Sequence, residues 1–160
     1  MTDPITASAR FVLKEALVEL RAAVEGVPAE ALNWRPAGEE TNSIAVLATH
    51  ALHSTRLWLS VAVGTPLPER DRGSEFRATE DDPEALLQLI DEKSGECLEL
   101  LRGAGNVEWS VLRKTDIHPD HELHEVTAGF ALLQALQHLG QHIAHCSLTR
   151  QLWENRVEAA

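Results

Sequence analysis

Four helix-period runs of apolar residues, each bracketed by start and stop signals, constrain the fold of this chain more than any other feature. The first begins at Asp3 with Pro4 just inside, the pairing of an N-cap and a first helical residue, and runs to about Gly26. Its stripe is Ile5, Val12, Ala16, Leu20 and Ala23, widened by Leu13, Leu17 and Val24 into a core-facing surface. Residues 28–32 add one turn before the turn signal Arg35-Pro36-Ala37-Gly38. A second helix is expected over about 43–63, capped by Thr41 or Asn42 and stopped by Gly64 and Pro66. Val46, Leu47, His50, Ser54, Leu57, Trp58 and Val61 make its inward stripe, so His50 points to the core. The third starts with Asp82 as cap and Pro83 and Glu84 in the first turn, and continues through Leu86, Ile90, Cys97 and Leu101 to Gly103. A fourth is expected over about 126–155.

Sustained period-two alternation is missing, and 108–117 alone offers a short extended piece. The expected fold is all-α, a four-helix bundle in one domain over 1–160, long enough for a real core. Connections at 64–81 and 104–125 exceed the roughly 2–8 residues that join neighbouring bundle helices. They are therefore expected to be crossovers or functional loops in a bundle of irregular topology.

A formal charge of -11 repels phosphate backbones and acidic membranes, which argues against nucleic-acid binding. No apolar run approaches the ~20 residues of a membrane span, and no signal sequence is recognisable, so a cytoplasmic setting without membrane contact is expected. Cys97 and Cys146 are too few and too distant in sequence for a disulfide framework or a cysteine zinc site. Cys146 continues the stripe Leu132, Leu136, Leu139, Ile143, which reads as a packed thiol rather than a nucleophile.

The chemistry lies in histidines. His138 and His142 stand at i and i+4, about 6 Å apart along a helix axis and on one face, a spacing that lets two imidazoles chelate one cation. A third ligand from the second helix, where His50 and His53 both stand, would close the site. His145 is about 10.5 Å from His138 along the axis, too far to share an ion with it, and is expected beside the ligands or as a pocket wall. Ala128, Ala131 and Ala135 precede the histidines on the same side and leave room for a pocket. His118, His121 and His124, interleaved with Asp and Glu, read as a solvated acidic loop rather than a chelate.

The runs TNSIAVLATHALHSTRLWLSVAVG and HLGQHIAHCSLTRQLW, with LNWRPAGEETNSI leading into the first of them, resemble the DinB-like metal-binding four-helix bundles over most of the chain. The resemblance implies that His50, His138 and His142 bind one divalent metal, and it places the chain in a superfamily with the mycothiol-dependent maleylpyruvate isomerase. Zinc and nickel are the first candidates, iron and manganese the next. The implied activity is metal-dependent transfer or isomerisation with a low-molecular-weight thiol. The alternatives are a metal-dependent hydrolase and a noncatalytic metal- or small-ligand-binding stress protein. An acidic thiol would want cations near the histidines, for which Arg56 and Arg150 are the nearest in sequence, though both read as surface charges. A homodimer is expected from the family's habit and from four Trp in a chain with three Phe and no Tyr.

Overall fold

Asp3 accepts hydrogen bonds from the backbone N–H groups of Ile5 and Thr6, and α1 (Pro4–Val24) starts there in the computed structural model, which describes residues 3–115 and 124–158. Its buried seam is Thr6, Ala9, Leu13, Leu17, Leu20, Ala23 and Val24. Ile5 and Val12, expected in that stripe, are instead each 50% exposed. They sit roughly 90° round from the seam, outside the narrow face that a bundle helix presents to its two neighbours.

One turn, α2 (Ala29–Leu32), follows, and then α3 (Ile44–Val63) begins at Ser43, whose Oγ accepts from the Val46 N–H. The cap is therefore neither Thr41 nor Asn42. Thr41 is engaged in the preceding turn, where its hydroxyl accepts from the Ala37 N–H. At the other end Gly64 closes α3 with φ +76°, and a Cβ there would lie 2.8 Å from the Arg113 guanidinium carbon, so glycine satisfies both the backbone and the packing.

The connection after α3 contains a single turn, α4 (Arg72–Glu75), and α5 (Pro83–Gly103) is capped by Asp82 as expected. Strand β1 (Leu112–Lys114) falls within the anticipated extended piece and pairs antiparallel with β2 (Glu125–Thr127), Arg113 opposite Val126. Val126 thus belongs to a strand, and α6 (Ala128–Glu158) starts two residues later than periodicity suggests. Among the described residues no helix is long and apolar enough to cross a membrane.

Both α1 and α3 pack against α5 and α6, whereas α1 scarcely touches α3 and α5 scarcely touches α6. Around the bundle the order is α1, α5, α3, α6. The 104–127 connection therefore crosses a diagonal, as its length suggested, but 64–82 joins two adjacent helices and has length to spare for another purpose. Sixteen of the twenty residues of α3 are buried, including all of the expected inward stripe. A helix apolar on nearly every side belongs in the interior.

The tryptophans are used within the chain. Trp58 is buried, Trp34 meets Trp153 edge-on at 5.6 Å with Arg156 over both rings, and the Trp109 Nε1–H donates to Asp3. The large apolar side chains left in the open include Phe11 and Val18 on α1, at 67% and 58% exposure. Cys97 and Cys146 are buried free thiols, and burial pushes each up to about 12, in keeping with packed rather than reactive cysteines.

Candidate metal centre

Antiparallel packing of α3 on α6 brings His50 opposite the i,i+4 pair, and the three rings converge. Ring centroids are 4.4 Å apart for His138 and His142, 5.2 Å for His50 and His138, and 4.9 Å for His50 and His142. One nitrogen from each residue can be chosen such that all three lie within 4.8 Å of one another. The Nε2 atoms of His138 and His142 are 3.2 Å apart. Two nitrogens bound to one tetrahedral zinc at ~2.0–2.1 Å stand roughly 3.4 Å apart, so this pair needs little adjustment to share an ion.

Glu75 fixes His50. Its Oε2 accepts from the His50 Nδ1–H at 2.8 Å, while Arg70 donates from Nε to Oε1 at 2.6 Å and from Nη2 to Oε2 at 2.7 Å. An ionised carboxylate only accepts, so Nδ1 carries the proton and the Nε2 lone pair is left for the cluster. The Arg70 Nη2 also lies 3.3 Å from Nδ1, a close approach that cannot be a hydrogen bond while Nδ1 donates to Glu75. Burial pushes the Glu75 carboxyl up, but the hydrogen bonds from His50 and Arg70 with the Arg70 charge outweigh it and hold the group at about 2. Phe76 covers the other side of the ring, its centroid 4.6 Å from that of His50, and Arg72 lies 4.8 Å over Phe76.

His138 is lowered to about 4 and His142 to about 3, by burial first and then by neighbouring cationic or imidazole groups. Both are therefore neutral, with lone pairs free, at neutral pH. Their Nδ1 atoms are buried without a hydrogen-bond partner among the described residues, so packing and the mutual Nε2 contact orient these two rings. Three desolvated imidazoles directed at one point form a neutral nitrogen donor set of the kind that holds a zinc-class divalent ion.

The remaining histidines divide. His145 is exposed, 5.8 Å from His142 between ring centroids, and lines a cavity, which makes it a pocket wall. His53 stays outside the cluster, half-buried and lowered by that burial, within reach of the charges on Glu75, Lys93, Arg70 and Arg56. His118 and His121 lie outside the described residues, and His124 is exposed. Ala128, Ala131 and Ala135 are fully buried core residues and bring α6 close to its neighbours.

Sequence reasoning missed Glu75 and Arg70. The cations near the His50, His138 and His142 cluster are Arg70 and Arg72, carried by the 64–82 connection, and not Arg56 or Arg150. Arg56 pairs with Glu96, and Arg150 donates to the carbonyls of Ala22 and Glu25. A signal was present, since Asp71 three residues before Ser74 caps a turn and Phe76 is a lone aromatic in a charged stretch.

A model of the DinB superfamily matches residues 13–146. Among solved structures, a conserved protein from Enterococcus faecalis superposes with a TM-score of 0.72 at 16% identity, covering 95% of this chain and 97% of that one, a likeness of fold alone. No curated protein matches the chain.

Glu75→Gln keeps the size of the side chain but removes the charge that orients His50. It is expected to weaken zinc binding by about 10–100-fold, the usual effect of losing such a partner, as read by competition with a chromophoric chelator. Unchanged affinity would show that Glu75 does not serve the cluster.

The lowered histidines also set the acid response of the metal-free protein. An unfolded chain takes up these protons near the ordinary value of 6.5, whereas folded His138 and His142 resist until about 4 and 3. Stability is therefore lost as pH falls below 6.5, and the share held by Glu75 goes only between its ordinary 4.5 and about 2. Urea midpoints of metal-free protein should fall between pH 6.5 and pH 4, and a flat profile there contradicts the assignment.

Proposed function

Since the chain belongs to the DinB superfamily and gathers three neutral histidines at one point, we propose that it is a divalent-metal-dependent enzyme. The proposed reaction is transfer or isomerisation of a small molecule with a low-molecular-weight thiol, and His50, His138 and His142 are the metal ligands. The observation that carries the reading is the convergence of the three rings with His50 held by Glu75. When bound, a divalent ion at such a site lowers the pKa of a thiol or water and polarises a carbonyl.

The residues support thiol chemistry better than hydrolysis. A hydrolase needs a general base beside the reacting water. Glu75, the carboxylate that touches the cluster, is held at about 2 with both oxygens engaged, so it orients His50 and is a poor proton acceptor. Arg70 keeps that carboxylate ionised. Half-burial of His138 and His142 leaves a way in for a small substrate, and Phe76 shields the His50 side from water.

A noncatalytic reading is favoured by one observation: the donors come from α3 and α6, so an ion there would tie two core helices together. The two readings part on thiol binding. The His50→Ala/His138→Ala/His142→Ala protein should lose its metal, and equal metal content in the variant and the parent would refute the ligand assignment. Cobalt-loaded parent protein should change its visible spectrum on titration with small thiols, more strongly as pH rises and thiolate forms. An unchanged spectrum with intact metal would favour the noncatalytic role.

We also propose a homodimer through the outer face of α1, where Ile5, Phe11, Val12 and Val18 stand exposed. Light scattering should give twice 17.6 kDa, with Phe11→Glu returning the monomer mass. A mass of 17.6 kDa at every concentration would exclude the dimer.

A further inference from the structure

One helical turn from the histidine cluster lies a cavity of about 280 Å³, near the lower end of the ~300–1,000 Å³ of small-molecule sites. Leu47 stands three residues before His50 on α3, and His145 three residues after His142 on α6. The two helices run antiparallel, so both steps lead about 4.5 Å in the same direction, and the cavity runs from His145 along α6 to Leu152.

Its lining has two characters. Leu47, Leu148 and Leu152 form an apolar wall, on which Leu148 and Leu152 are 52% and 44% exposed. Asn42 and Thr149 supply polar groups to the same space. Thr149 is only 6% exposed, yet its hydroxyl has no hydrogen-bond partner among the described residues, and neither has the half-buried Asn42 carboxamide. Neither group is sealed from solvent, so both are open to a hydrogen-bonding partner from outside the protein. Two unpaired polar groups beside an apolar wall in one cavity are placed to hydrogen-bond a small ligand there. No Lys, Arg, Asp or Glu lines the cavity, so apart from His145 at its end no titratable side chain there offsets the lost hydration of a charged ligand.

We propose that this cavity binds an uncharged, mainly aliphatic portion of the substrate that carries an amide or hydroxyl group, with Asn42 and Thr149 reading that group. The His145 end lies one turn from His142, so the reacting end of the same molecule would reach toward His138 and His142. Calling this molecule the substrate rests on the enzymatic reading above; occupancy of the cavity does not.

The test is an NMR titration of the full-length, zinc-loaded protein with hexanamide, using hexanoate as the charged counterpart. Hexanamide should shift the Leu148, Leu152 and Thr149 methyl signals saturably, and hexanoate should bind at least about tenfold more weakly. Thr149→Val, which keeps the shape, and Asn42→Ala, at a half-buried position outside the helices, should each weaken hexanamide by about 5–10-fold. Equal binding of the two probes, or of hexanamide to the parent and to whichever of the two variants folds, would overturn the proposal. So would concentration-dependent shifts of the same methyls without hexanamide, which would place a second copy on this face. Hexanamide binding that persists in the triple-histidine variant upholds the cavity by itself. A triple variant that keeps its metal sinks the ligand assignment and leaves the cavity standing.

Discussion

A histidine ring inside a helix that is buried on nearly every side is the constraint around which this molecule is arranged. His50 is 5% exposed, and its two nitrogens cannot be left to water. One is satisfied by Glu75, which is itself 3% exposed and would be unstable as an isolated buried carboxylate. Arg70 makes the arrangement viable through two charge-assisted hydrogen bonds in bidentate geometry. Each member of the chain from His50 to Glu75 to Arg70 needs the next, and Arg70, its side chain 11% exposed, ends the chain at the edge of solvent. The remaining nitrogen of His50 is turned toward His138 and His142.

Topology supplies the room for this network. With the order α1, α5, α3, α6 around the bundle, α3 has α5 on one side and α6 on the other, so the connection from α3 to α5 need only reach a neighbour. Its nineteen residues, 64–82, are far more than that requires. The surplus folds back as α4, capped by Asp71, and delivers Glu75 and Phe76 to the two sides of the His50 ring. A shorter connection would leave His50 buried without a carboxylate.

Much of this was legible because it is local. Asp3-Pro4 and Asp82-Pro83 announce helix starts by capping chemistry, and Gly64 announces a stop by its left-handed conformation. The inward stripe of α3 and the i,i+4 placement of His138 and His142 follow from a 3.6-residue period. What sequence could not supply were pairings across the chain. Periodicity shows that Ile5 and Val12 share a side with the core residues of α1, but which part of that side is covered depends on where α5 and α6 lie. The same holds for β2, whose three residues become a strand because β1 is there to pair with, and for Glu75, twenty-five positions from the histidine it holds.

If His50, His138 and His142 hold the metal, X-ray absorption at the zinc edge of the loaded protein reports it directly. The account predicts three imidazole nitrogens at ~2.0–2.1 Å with one lighter oxygen or nitrogen neighbour, and one fewer imidazole in each single histidine variant that retains metal. A sulfur neighbour at ~2.3 Å in protein free of added thiol, or a spectrum unchanged by His50→Ala, would contradict it.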